Sequence, residues 1–188
     1  MQVEFKNHLE EIISEISNEE FDYIMSFFEH VKRRKHQFIV QEGELVNKEY
    51  WVINGCLKAY FLDADGKEHI LQFATENWWI TDYNAFFKKE QANIYIDCIE
   101  DCQLLSITLA KKDQLCKDLH KMEHFWRVKS NFGYVALQKR ILSLLRLSAN
   151  ERYEQLIGLY QDLVQRVPKR LIASYLGVSR ETLSRFKM

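Results

Sequence analysis

The final stretch, KRLIASYLGVSRETLSRFKM over residues 169–188, constrains the fold more than any other segment. Ile172, Leu176, Val178, Leu183 and Phe186 place apolar side chains at helical spacing on both sides of Gly177. Small Ala173 lets two helices cross closely, and Gly177 can take the positive φ of a tight turn without a Cβ clash. The pattern predicts a helix-turn-helix whose five apolar residues fill the angle between the helices. Arg180, Glu181, Ser184 and Arg185 are then left to point outward. A hairpin that merely closes a domain needs the glycine-centred turn but not this exposed arginine and glutamate face. In a true helix-turn-helix the second helix enters the DNA major groove.

Charge points the same way. The net charge of −1 over 188 residues hides an asymmetry. Residues 166–188 hold Arg166, Lys169, Arg170, Arg180, Arg185 and Lys187 against one acid, Glu181, so the tail carries +5 and the rest of the chain −6. Cations gathered at one end suggest an anionic partner there. The acidic N-terminus lacks a secretory signal, and no run of 18 apolar residues occurs, so a cytoplasmic protein with no membrane partner is expected. Cys56, Cys98, Cys102 and Cys116 are scattered without a CxxC, which argues against zinc or iron–sulfur spacing and for reduced thiols.

The chain reads in three parts as an α+β protein, with an antiparallel β-roll or jelly roll, flanking helices, a long helix and the helix-turn-helix. Residues 1–108 form the first unit. Its first 35 residues read as helical, with a capping box at Ser17-Asn18-Glu19-Glu20. Lys32-Arg33-Arg34-Lys35 reads as a solvated helix end, with DNA contact as the alternative. Residues 36–108 read as β-strands. Asn54-Gly55 signals a two-residue hairpin, and Asp63–Gly66 a second turn. Residues 109–147 read as one helix, whose stripe of Leu115, Leu119, Met122, Trp126, Leu137 and Ile141 suggests a two-fold dimer. Residues 148–188 form the helix-turn-helix unit, with Pro168, the sole proline, at the start of its first reading helix.

In this order of parts the chain resembles the Crp/Fnr family of bacterial transcription regulators over nearly its whole length. The residues that carry the resemblance are EGE at Glu42–Glu44, VING at Val52–Gly55, DGKEHILQF at Asp65–Phe73 and SRETLSR at Ser179–Arg185. It is similar in particular to short forms found in the Bacteroidetes group. The resemblance implies a homodimer on double-stranded DNA, with RNA polymerase as a further partner. It also implies that Arg180, Glu181 and Arg185 read bases. The chemistry agrees, since arginine can fork onto guanine and glutamate can accept from cytosine N4. Ser179 would cap the reading helix, Ser179 and Thr182 could contact phosphate, and Lys169, Arg170 and Lys187 would position the unit without reading sequence.

Two departures from the family follow. A cyclic-AMP cassette has a Gly-Glu followed ten residues later by an Arg-Ser or Arg-Thr. Those positions fall here on Thr81-Asp82 and Ala92-Asn93, so the acid is shorter and the phosphate-binding arginine is absent. A buried phosphate without its cation is costly, so cyclic AMP is not expected as the effector, unless Lys88 or Lys89 substitutes. Phe73 and Trp79, with Trp78 and Tyr83, either stack on some other planar ligand or simply fill the roll; core is the commoner use. No cofactor is expected. Second, no strands are expected beyond the reading helix, so there is no wing to add phosphate contacts.

An enzyme is not expected. His120-Lys-Met-Glu123-His124 matches an inverted zinc-protease pattern, but no third ligand motif accompanies it. The alternative function is a sensory module acting through protein contacts alone, which would leave the +5 tail without a purpose.

Overall fold

The computed structural model describes residues 2–186. Helices α1 (Gln2–Glu10) and α2 (Asn18–Met25) precede strands β1 (Glu29–Arg33), β2 (Phe38–Val40), β3 (Lys48–Asn54), β4 (Leu57–Leu62), β5 (Glu68–Ala74) and β6 (Trp79–Ile80). Helix α3 (Tyr83–Lys88) leads to β7 (Tyr95–Cys98) and β8 (Cys102–Thr108). Helices α4 (Leu109–Asp118), α5 (His120–Arg146), α6 (Ala149–Leu159), α7 (Gln161–Arg166), α8 (Lys169–Leu176) and α9 (Arg180–Ser184) follow. This is the α+β architecture expected from the sequence.

The strands form two antiparallel sheets, in the orders β1-β8-β3-β6 and β2-β7-β4-β5. Period-two alternation splits their side chains between three cores. Val52, Leu57, Ala59, Ile96 and Leu104 point between the sheets. Trp51, Leu105 and Ile107 point out of the first sheet, into a second core with Phe5 and Leu9 of α1, Leu115 of α4 and Phe125 of α5. Tyr60, Ile70 and Phe73 point out of the second sheet, where α6 to α9 cover them.

Asn54-Gly55 is not a hairpin. It carries the chain from one sheet to the other, because β3 pairs with β8 and β6 while β4 pairs with β5 and β7. Gly55, at φ 112°, is required by close approach: a Cβ there would stand 2.6 Å from the Cys102 sulfur and 2.8 Å from the Asp101 carbonyl oxygen. The Asp63–Gly66 turn does join a hairpin, β4 to β5, and the Asp63 carboxylate accepts from the amides of Asp65 and Lys67.

Residues 29–33 are strand rather than helix, since all five pair with β8 from Glu29↔Ser106 to Arg33↔Cys102. Lys32–Lys35 therefore sits at a strand end and turn, not a helix end. The expected single helix over 109–147 is two helices. Leu119, at φ −129° and ψ 95°, breaks it, packing against the second core. No glycine or proline marks that break; burial of Leu119 overrides the helical preference of its neighbours. Pro168 caps α8 from just outside rather than occupying its first turn.

Candidate nucleic-acid interface

Helices α8 and α9 meet as a helix-turn-helix. Gly177 stands at φ 71°, and the Val178 amide closes the turn onto the Ala173 carbonyl at 3.0 Å. Leu171, Ile172, Ala173, Leu176 and Leu183 are buried, with Val178 and Phe186 packed against them. The Ser179 hydroxyl caps α9 by accepting from the Thr182 amide at 3.1 Å, and it lies 3.2 Å from the Thr182 hydroxyl. With Leu183 anchored inward, Arg180, Glu181, Thr182, Ser184 and Arg185 are all exposed. Hydrogen bonds from its own amide and from Ser179 hold the Glu181 carboxyl below its ordinary range, which keeps it an acceptor. Lys169 is exposed, Arg170 lies 3.8 Å from Glu68, and Lys187 is outside the described residues.

The unit does not hang free. Arg166, at the end of α7, places its guanidinium between Glu76 and Glu100, with shortest contacts of 2.7 Å to each. These two carboxylates, on the β5–β6 and β7–β8 turns, raise the arginine above its already high pKa. Arg140 of α5 stacks on Tyr175 at 3.6 Å and donates to the carbonyls of Ile70 and Tyr175. Arg152 of α6 donates to the carbonyls of Leu147 and Leu176. The Ser174 hydroxyl donates to the Glu68 carbonyl at 2.5 Å. Sequence patterning gave no signal for these arginines, because their partners are backbone carbonyls and acids scattered over distant turns.

The proposed effector residues separate. Phe73 faces Tyr175 at 5.3 Å, under the helix-turn-helix. Trp79 lies among Phe5, Phe28, Phe125 and Trp126, and its indole donates to His8 Nε2 at 3.2 Å. Trp78 meets Tyr160, and Tyr83 meets Phe87. Four rings that the sequence places near one pocket thus serve four separate contacts. Thr81 is buried and donates to the Lys48 carbonyl. Asp82 and Asn93 do meet: Asp82 Oδ2 accepts from the Asn93 amide at 3.0 Å, and Oδ1 caps α3 through the Ala85 amide at 3.1 Å. Ala92, 2% exposed, belongs to the core between the sheets.

Four of the six residues expected at a dimer face are committed within the chain. Leu115, Met122 and Trp126 are buried in the second core, and Leu119 packs against it. Leu137 and Ile141 are 59% and 49% exposed. Leu144, at the end of the same expected stripe, is also exposed, and Phe132, Tyr134 and Leu145 join them as exposed apolar residues on α5 that the sequence reading did not name. His120 pairs with Glu123, and His124 contacts Arg127, so the two histidines of the zinc-like pattern have separate neighbours.

Residues 30–118 match the profile of the cyclic nucleotide-binding domain family. Those residues are just under half of the chain, and over them it is similar to cyclic nucleotide-binding domains. A curated relative, the cAMP-activated global transcriptional regulator CRP of Pasteurella multocida, is 23% identical over 160 residues, covering 78% of this chain and 75% of the relative. Among solved structures, FixK2 from Bradyrhizobium japonicum superposes with a TM-score of 0.68 at 19% identity, over 84% of this chain and 81% of that one. The c-di-GMP responsive regulator CLP of Xanthomonas campestris gives 0.69 at 16% identity, over 88% and 87%. A CooA mutant from Carboxydothermus hydrogenoformans gives 0.69 at 18%, over 94% and 80%. The chain thus shares the fold of these solved structures over most of its length. Among the described residues no helix is long and apolar enough to cross a membrane.

Proposed function

We propose that this Crp/Fnr-type chain is a homodimeric, sequence-specific DNA-binding regulator of transcription, working in the cytoplasm and not as an enzyme. The observation that carries the reading is the exposed Arg180, Glu181 and Arg185 on a reading helix whose Leu183 side is buried. Arg180 and Arg185 supply planar donor forks for guanine, and Glu181 an acceptor for cytosine. Ser179, Thr182, Lys169 and Arg170, with Lys187, supply the phosphate contacts that fix register. Two such units, paired through the apolar stripe of α5, would meet successive major grooves roughly 34 Å apart. A role at RNA polymerase rests on the family resemblance alone.

Cyclic AMP does not fit as the signal. Both Asp82 carboxylate oxygens are engaged by backbone amides of the cassette itself. Ala92 offers no charge for a cyclic phosphate, so a bound one would be desolvated without a counter-ion.

Selection of duplexes from a random pool with ligand-free protein tests the reading. A pseudo-palindrome should emerge, and Arg180→Ala should weaken binding to it by roughly 1–3 kcal/mol while relaxing the preference at one base pair per half-site. No enrichment, or unchanged discrimination in that variant, would remove Arg180 as a reader.

A further inference from the structure

The sequence scatters four cysteines, and the fold gathers three of them. Cys98 ends β7 and Cys102 begins β8, on opposite sheets, joined by the turn Ile99-Glu100-Asp101. Both side chains enter the core between the sheets, at 0% and 2% exposure. Cys56, at the crossing from β3 to β4, meets them there, its carbonyl 3.6 Å from the Cys102 sulfur. Gly55 makes room for that sulfur, since a Cβ would stand 2.6 Å from it.

The thiols are not equivalent. Cys98 neighbours Cys102, and this thiol–thiol contact is the largest influence on both: it pushes Cys98 above the ordinary thiol range and holds Cys102 below it. Cys56 is instead pushed up to about 12, by burial first, and burial raises half-buried Cys116 as well. Cys102 also has an approach from solvent. It lines an open cleft of about 410 Å³ whose wall carries Lys32, Arg33 and Arg34. Asp101 is the acid of that wall, and the Lys35 amide engages it. A sulfur beside fixed cations gains thiolate character, and a second thiol in contact can resolve its oxidised form. Inert structural cysteines have neither advantage.

We propose that Cys98 and Cys102 are a peroxide-oxidisable dithiol, and that their disulfide loosens the hold of the roll on the reading unit. The Cys102 thiolate attacks one oxygen of hydrogen peroxide. The O–O bond breaks, and the leaving hydroxide takes up the Cys102 proton to become water, so that Cys102 is left as a sulfenic acid. The Cys98 sulfur then attacks the Cys102 sulfur. The S–O bond breaks, and the departing hydroxide leaves as water with the Cys98 proton. The thiol pair loses two electrons, and one peroxide is reduced to two waters. In a reducing compartment a bond of this kind is transient and serves as a signal.

The effect follows from what the turn carries. The Cys102 thiol donates to the Glu100 carbonyl at 3.2 Å, and a disulfide has no hydrogen to donate. The Glu100 carboxylate is one of the two that hold Arg166, at the end of α7 and just before the cap of α8. A bond closed across this turn therefore re-aims Glu100 and weakens the clamp from the side of the roll. The inference stands apart from the DNA-binding reading, because its readouts are thiol chemistry and the clamp.

The test treats the full-length protein with hydrogen peroxide, alkylates the remaining thiols with iodoacetamide and maps them by mass spectrometry after trypsin. Residues 90–111 emerge as one tryptic peptide that contains both cysteines. In the wild type that peptide should lose two hydrogens and both alkylation sites, reversibly with dithiothreitol, while Cys56 and Cys116 remain alkylated. Cys98→Ser should stop at a sulfenic acid on Cys102 that dimedone traps, and Cys102→Ser should leave Cys98 reduced. Hydrogen exchange across α7 and α8 should quicken in the oxidised wild type and not in peroxide-treated Cys102→Ser. A wild-type peptide that stays fully alkylated, or that oxidises only after Cys116, overturns the proposal, and this result needs no variant to fold. A disulfide that forms with exchange across α7 and α8 unchanged overturns the link to the reading unit.

Discussion

His8 shows how one buried side chain ties stability to pH. Its ring is 2% exposed, stacked among Phe5, Trp51 and Phe125, and burial first and Lys129 second push its pKa down to about 3. Nε2 accepts from Trp79, and Nδ1 lies 3.6 Å from Glu11 and 3.5 Å from the Lys129 ammonium, which itself pairs with Glu11 at 3.3 Å. The unfolded chain takes up a proton near the ordinary value of 6.5 while the folded one does not. This contribution is therefore complete above about pH 6.5 and declines as pH falls from there towards 3, by up to about 1.4 kcal/mol per pH unit. Urea titrations between pH 7 and 5 should show that decline in the wild type and a flatter dependence in His8→Gln. Equal slopes would mean that His8 titrates normally. The residues proposed to read bases belong to this scale as well. Arg180, Glu181 and Arg185 stand out in the sequence because residue type and helical phase suffice to place a side chain on the outside of a reading helix. The aromatic residues do not, because Phe73, Trp78, Trp79 and Tyr83 each take a direction set by which sheet face and which helix they meet.

Between elements, the Lys112–Glu49 pair fastens α4 to β3. The ammonium lies 2.7 Å from the carboxylate and 4.8 Å from the Trp126 ring centre, and both residues are buried. Desolvation raises the Glu49 pKa, and Lys112 opposes it. Lys112→Met should cost about 3–5 kcal/mol by stranding the acid, whereas Lys112→Met with Glu49→Leu should be much closer to wild type, because no orphaned charge remains. Chemical denaturation of the two variants decides; a double variant as weak as the single one would show that the charges themselves are needed. Lys112 and Glu49 carry no mark in the sequence, where each reads as one surface charge among many. The same limit explains the break at Leu119 and the mistaken Asn54-Gly55 hairpin. Local pattern fixes the type of an element, but pairing across sheets and packing from α1 decide where it starts and which neighbour it takes.

At the scale of the molecule, the long helix is divided in use. Its first turns are core, and from Phe132 onward its apolar side chains are exposed. Tyr134, Leu137, Ile141 and Leu144 recur at spacings of three and four, the pattern that the proposed pairing of two α5 helices requires. Leu137→Asp with Ile141→Asp should turn a dimer into a folded monomer in sedimentation, with circular dichroism otherwise retained; an unchanged mass would place the dimer contact elsewhere. The order of roll, helix and reading unit was legible from the sequence because each part has its own period and turn residues. How tightly the parts join was not, because Arg140, Arg152 and Arg166 look like ordinary surface cations until the fold brings acids and carbonyls to them. Their effect is that Tyr60, Ile70 and Phe73 of the roll share one core with Tyr153, Leu163, Ile172 and Leu176 of the reading unit. The two parts are therefore not interchangeable modules. A hybrid that grafts another reading unit onto this roll inherits an uncovered apolar sheet face and two carboxylates, Glu76 and Glu100, without their arginine. Sequence drift in either half is constrained by the other, and the pair can be expected to change, move and be inherited together.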